Sequence, residues 1–260
     1  LDRHGNFESY VSLKGKLFSN QRAEDFAVLN LDDPIVIRAT ESIGSHRILF
    51  SRREVVEDGA YVKDGDIFSS RYGLVCRARD LKLRGGFWME DVLAAVATSG
   101  VFGIGGEVAG EAIRGFGGVV HRMEDVGMVG GVRFVNNSMC TNPASFTCSL
   151  DSFEEPVILI CGGKEKGMVS EEIVERIESR AKAAVLIGES GKSMEELLRQ
   201  RGYAPVERAA SMEEAVRKAY RKAAPGDVVL LSPGFASFDM FRDFAHRGEE
   251  FKNAVRRLWG

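Results

Sequence analysis

The chain has 260 residues, 44% of them hydrophobic and 28% charged, a balance that argues against disorder and suits one large domain or two modest ones. Lysine and arginine total 35 against 38 acidic residues, and the resulting net charge of -3 argues against a nucleic-acid surface of high charge density, though not against a local basic pocket. No apolar run approaches the roughly 20 residues of a membrane-spanning helix, and Cys76, Cys140, Cys148 and Cys161 form no C-x-x-C pair, so the expected setting is a reducing cytoplasm without membrane insertion.

The first residue is Leu1 rather than Met, and the expectation is a portion of a longer protein. Phe7, Tyr10, Val11, Lys14, Leu17 and Phe18 recur at helical spacing behind a possible Asn6 cap, which predicts an amphipathic helix over 6–20. From Phe26 to about Val75 short strand-like runs alternate with Asp-Asp-Pro, Asp-Gly and Tyr-Gly turns, and a sheet edge of hairpins is expected there. Two short helices follow over 90–100 and 107–115. The Gly-rich Gly115-Phe116-Gly117-Gly118 then marks a domain boundary, giving domains of 1–118 and 119–260.

Beyond it the order is strand 132–135, strand 157–161, helix 170–181, strand 183–187, helices 193–201 and 211–223, strand 227–231 and helix 244–258. Val157-Ile158-Leu159-Ile160 and Val228-Val229-Leu230-Leu231 show no polar alternation, so these strands should be buried on both faces of a mainly parallel, helix-covered sheet. The fold class is α/β throughout.

Ligands of such sheets gather at the carboxyl ends of the strands. Three strand ends are rich in glycine, short polar side chains or lysine: Asn136 to Pro143, Gly162-Gly163-Lys164-Glu165-Lys166-Gly167, and Ser232 to Asp239. Taken singly, each is a tight turn or a helix cap. If the three strands are neighbours, the loops meet at one edge and form a binding site.

Gly188-Glu189-Ser190-Gly191-Lys192-Ser193 imitates a phosphate loop, but two residues separate its glycines where that loop has four, so a turn with a Ser193 cap is expected. Lys14, on an apolar stripe, either snorkels past its neighbours or is a partly buried amine of lowered pKa.

The stretches Leu1-Asp2-Arg3-His4-Gly5, Val28-Leu29-Asn30-Leu31-Asp32-Asp33, Val120-His121-Arg122-Met123-Glu124 and, most specifically, Ser232 through Gly248 resemble the Mur ligases along nearly the whole chain. The resemblance implies the end of a central ATPase-type domain over 1–118 and a Rossmann-like, amino-acid-binding carboxyl-terminal domain over 119–260. It also implies a peptide-bond-forming, ATP- and Mg2+-dependent ligase of peptidoglycan synthesis, with UDP-N-acetylmuramoyl-L-alanine and D-glutamate as substrates and a monomeric state. Carried over by position, Lys14 resembles the lysine that is carbamylated to help hold magnesium, and Arg122 the arginine that reaches the ATP phosphates. Thr141, Lys166, Ser237 and Phe244 resemble the D-glutamate site, and Asn137 and Ser138 fall on the nucleotide side.

The departures fall on the ATP side. The family's phosphate loop and a metal-binding histidine would precede Leu1, so these residues by themselves are expected not to hydrolyse ATP. After Leu83-Arg84-Gly85-Gly86 the chain has Phe87-Trp88 in place of His-Asn, and Asn137 and Met139 replace an aspartate and a lysine. The alternative to an active ligase is a ligase-like protein that has lost catalysis and keeps a binding or regulatory role.

Overall fold

The computed structural model describes residues 6–83, 88–165 and 170–259. The chain divides into two compact units, Leu1–Gly117 and Gly118–Gly260.

In the first unit, Asn6 accepts a hydrogen bond from the Ser9 amide and starts helix α1 (Phe7–Gly15), which passes into a 3-10 turn at Lys16–Phe18. The helix expected over 6–20 is therefore shorter, and none of its residues is buried. Strands β1 (Phe26–Asn30), β2 (His46–Ser51), β3 (Gly59–Lys63), β4 (Asp66–Ser69) and β5 (Gly73–Arg77) lie side by side in that order. The expected hairpins hold only for β3, β4 and β5. The β1–β2 and β2–β3 pairs are parallel, which a short apolar run does not disclose, because crossover segments as brief as Pro34–Ala39 (α2) read as turns.

Helix α3 (Trp88–Val101) buries Trp88, Val92, Leu93, Val96 and Ala97 at helical spacing, and α4 (Gly106–Gly115) follows it. Of these, Val92, Leu93, Val96 and Ala97 pack with Ile48, Phe50, Ala60, Ile67 and Val75 of the sheet into one core. Among the described residues no helix is long and apolar enough to cross a membrane.

The second unit is a six-stranded sheet in the order β10-β9-β8-β11-β7-β6. Its strands are β6 (Glu124–Val129), β7 (Val132–Asn136), β8 (Val157–Gly162), β9 (Ala181–Ile187), β10 (Val206–Arg208) and β11 (Val228–Leu231). All pairs are parallel except β6–β7. Every residue of β8 and β11 is buried, as their unbroken apolar runs require.

Helices α5 (Pro143–Asp151), α6 (Glu171–Arg180) and α7 (Ser190–Gln200) contribute Phe146, Leu150, Ile173, Ile177, Met194 and Leu198 to the core on one face of the sheet. Helices α8 (Met212–Lys222) and α9 (Phe244–Arg256) contribute Met212, Ala215, Val216, Phe251 and Val255 to the core on the other. Strand β11, which leads into α9, thus lies between β7 and β8, which lead into α5 and α6 on the opposite face. Such a divergence opens a crevice at the carboxyl ends of the strands.

Candidate functional site

The three chemically rich loops follow β7, β8 and β11, and these strands are hydrogen-bonded neighbours. The convergence expected from the sequence is present. Short backbone contacts then join the loops: the Gly162 amide donates to the Pro233 carbonyl (2.9 Å), the Lys164 amide to the Ala236 carbonyl (2.8 Å) and the Gly234 amide to the Cys140 carbonyl (3.1 Å). Glycine is needed at 163 because a side chain there would meet the Ala236 carbonyl oxygen at 2.3 Å.

Arg247 is the largest buried side chain of the unit and the chief fastener of this edge. Its Nε donates to Ser138 Oγ (3.0 Å), one terminal nitrogen to the Ser138 carbonyl (2.8 Å) and the other to the Phe235 carbonyl (3.0 Å), so one guanidinium ties the β7 and β11 loops to α9. Burial without a carboxylate bonded to it pulls its pKa down to about 10. Sequence reading passed over it, although Arg247 lies on the same helix face as Phe251, Ala254 and Val255, four, seven and eight positions on, and so carries the signal that was noted for Lys14.

A second fastener joins the β8 and β11 loops to the start of α7. Asp239 Oδ2 accepts the Glu189 amide (2.9 Å), the Gly163 amide donates to Ser190 Oγ (3.0 Å), and Lys164 Nζ bonds Glu189 Oε1 (2.9 Å). The hydrogen bond to Lys164 holds the Glu189 carboxyl below its ordinary pKa, and the reciprocal bond raises that of Lys164. Gly188 turns at φ 72°, and a side chain on it would run into Asp239. This segment is the imitation of a phosphate loop. Its Ser193 is no cap: α7 has already begun, and the Ser193 hydroxyl bonds Glu165 Oε1 (3.0 Å).

Of the residues proposed for D-glutamate, Thr141 is exposed, Ser237 is 2% exposed and Phe244, the first residue of α9, is 38% exposed with its ring edge-on to His121. All three sit beyond the ends of β7 and β11. Lys166, beyond β8, lies outside the described residues, as does Phe87. Trp88 is buried in the first turn of α3.

The nucleotide-side assignments divide. Arg122 is half-buried beside the β7 end. Asn137 is 6% exposed; its Nδ2 donates to Ser232 Oγ (3.3 Å) and its Oδ1 accepts the Met123 amide (3.3 Å). Ser138 is fully buried, donating to the Phe244 carbonyl (2.7 Å) and accepting from Arg247, so its hydroxyl is engaged inside the fold rather than offered to a ligand.

Of the two readings of Lys14, the structure favours the side chain that reaches solvent. It is exposed on α1 with Nζ 5.5 Å from the centre of the Tyr10 ring, so the burial on which a partly desolvated amine depended is absent. A groove of about 770 Å³ lies between α1 and α2, lined by Phe7, Val11, Phe18, Ile35, Arg38 and Ile43, and Lys14 is not part of its lining. Among the described residues no group of three or more His, Cys, Asp and Glu converges as a metal site. The described residues therefore do not fit a magnesium ion at Lys14.

The family profile described as Mur ligase middle domain matches residues 1–99, and that described as Mur ligase, glutamate ligase domain, matches residues 121–235. A UDP-N-acetylmuramoylalanine--D-glutamate ligase of Pelotomaculum thermopropionicum is 42% identical over 261 residues, which cover 99% of this chain and 57% of that protein. The ligase of the same name from Thermoanaerobacter sp. is 39% identical over 263 residues, covering 99% and 58%. The chain thus spans somewhat more than half the length of the curated relatives it matches.

Among solved structures, a UDP-N-acetylmuramate-alanine ligase from Thermotoga maritima matches with a TM-score of 0.69 at 16% identity, over 99% of this chain and 57% of that one. The MurF ligase from Thermotoga maritima in complex with ADP matches with a TM-score of 0.67 at 14% identity, over 98% and 59%. At these identities the likeness bears on the fold alone. With two family profiles matching successive stretches, and relatives of about 40% identity aligned along 99% of its length, the chain belongs to the Mur ligase family.

Proposed function

We propose that these residues form the middle and glutamate ligase domains of an ATP-dependent ligase that adds D-glutamate to UDP-N-acetylmuramoyl-L-alanine in peptidoglycan precursor synthesis. The observation that supports this most is the 42% identity, along 99% of the chain, to a protein of that activity by name. The geometry agrees with it: three neighbouring strands deliver Thr141, Ser237 and the Gly162-Gly163 loop that leads to Lys166 to one crevice.

In this reading the γ-phosphoryl group of ATP passes to the terminal carboxylate of the nucleotide-sugar substrate, giving an acyl phosphate and ADP. The amine of D-glutamate attacks the acyl carbon, phosphate leaves, an amide forms and the amine loses its proton. Arg122 supplies positive charge to the ATP phosphates, where such contacts lower the barrier most. Thr141, Lys166 and Ser237 hold the side-chain carboxylate of D-glutamate, and Phe244 walls the pocket. Asn137 faces the nucleotide side. Ser138 serves the site indirectly, by fixing Arg247.

A lysine–carboxylate contact is worth about 1.5 to 3 kcal/mol, and its removal leaves a desolvated carboxylate without its counter-charge. Lys166→Ala in the complete ligase should therefore raise KM for D-glutamate at least about tenfold and leave KM for ATP nearly unchanged. Steady-state kinetics with each substrate varied in turn checks this. An equal shift in both constants, or none for D-glutamate, would contradict the assignment.

A further inference from the structure

Arg122 sits in a backbone that has few other ways to be held. Its two neighbours, His121 (φ 64°) and Met123 (φ 48°), both occupy the left-handed region, which side-chain-bearing residues adopt only when their surroundings impose it. Four main-chain groups of the turn are engaged. The Arg122 amide closes the turn on the Val119 carbonyl (3.1 Å), the His121 carbonyl accepts the Met139 amide (3.1 Å), and the Met123 amide donates to Asn137 Oδ1 (3.3 Å). The His121 amide, at the strained position itself, donates to Glu124 Oε2 (3.0 Å).

That carboxylate holds more than the turn. Glu124 Oε2 also accepts Asn136 Nδ2 (2.9 Å), and Oε1 accepts Lys252 Nζ (3.1 Å), so one side chain links the turn, the end of β7 and helix α9. Lys252 is kept in place by Glu249 (2.7 Å), while Asn136 Nδ2 also meets His121 Nδ1 (2.9 Å). The imidazole packs over Gly248, where a Cβ would come within 2.2 Å of Nδ1.

We propose that Glu124 is a positioning residue for Arg122: by gripping the His121 amide and anchoring it to β7 and α9, it imposes the left-handed turn that aims the Arg122 side chain at the phosphates of the nucleotide. The inference rests on the reading of Arg122 as the phosphate-side arginine. A carboxylate suits this post because three donors reach it and it has acceptor capacity on both oxygens, which a glutamine has on only one.

The test is a double-mutant cycle in the complete ligase, with KM for ATP and for D-glutamate measured for Glu124→Ala, Arg122→Ala and the pair. Glu124→Ala is expected to raise KM for ATP about ten- to a hundredfold, the range that a misplaced group produces, and to leave KM for D-glutamate within about twofold. Added to Arg122→Ala it should change little further, because its effect passes through the arginine. Glu124→Gln keeps one acceptor for the His121 amide and should fall between wild type and alanine; if the alanine variant does not fold, the glutamine variant takes its place in the cycle. Equal shifts in both KM values, or effects of Glu124 and Arg122 that multiply independently, would overturn the positioning role alone. An unchanged KM for ATP in Arg122→Ala would overturn the phosphate-side reading, and the positioning role with it.

Discussion

Asp227 shows how one residue fixes a strand start. It is 4% exposed, and its Oδ2 accepts both the Ala224 amide (2.8 Å) and the ammonium of Lys182 on β9, so it locks the turn before β11 to a strand two places across the sheet. Burial alone would raise its pKa, but the hydrogen bonds from Lys182 and the Ala224 amide outweigh it and hold the carboxyl below the ordinary aspartate range. The folded pKa therefore lies below the unfolded value of about 3.9. The stability this contributes is fully present above that value and is lost as pH falls through the folded pKa.

Asp227→Asn should cost about 1 to 3 kcal/mol at pH 7, towards the lower end because the Lys182 side chain is half-exposed and screened. The deficit against wild type should begin to shrink below about pH 4, where the carboxyl of the unfolded wild-type chain takes up its proton before the folded one does. Urea unfolding of the 260-residue chain at a series of pH values measures it. A deficit that stays constant down to pH 3 would contradict this account.

At this scale the sequence disclosed which residue types gather at the strand ends, but not which of them face inward. Arg247 and Ser138 are polar and fully buried because they satisfy each other and the loop carbonyls. Composition does not show such pairing across more than a hundred positions of chain. Lys14 shows the opposite case: its helical stripe is apolar, yet no residue of α1 is buried, and spacing alone does not tell a buried amine from one that reaches solvent.

Among the elements, the strands that are buried on both faces were the most legible, since β8 and β11 consist of continuous apolar runs with turn signals at each end. Strand β6 contains Glu124, Asp125 and Gly127 and bends at a register shift, and β10 has only three residues, so neither carries a strand pattern. The parallel pairs of the first unit read as hairpins in the sequence because their crossovers carry turn residues.

The end of β8 gives the sharpest test of an element. Gly162 has φ 110° and pairs with Ile187 of β9, and a Cβ there would lie 2.2 Å from the Ile187 carbonyl oxygen. Gly162→Ala must therefore either strain the backbone or part β8 from β9, and should cost at least about 2 kcal/mol. The urea midpoint of the 260-residue chain checks it, and an unchanged midpoint would show that the strand end is looser than the contact implies.

For the molecule as a whole, the contacts divide at Gly117 and Gly118, and the two matched family domains fall on either side. The Gly-rich run that suggested a boundary is legible because consecutive glycines interrupt both helical and strand patterns. The site is less so, since its residues come from strand ends that the order β8-β11-β7 brings together, and neighbourhood in a parallel sheet is not written in the order of the chain. The reading as a D-glutamate-adding ligase is tested most directly by ADP release from the complete ligase supplied with ATP, magnesium and UDP-N-acetylmuramoyl-L-alanine, with D-glutamate, L-glutamate or no amino acid added. The account predicts ADP release over many turnovers, together with a product heavier by one glutamate residue, only when D-glutamate is present; sustained release that is indifferent to D-glutamate, or none with all substrates present, would contradict it.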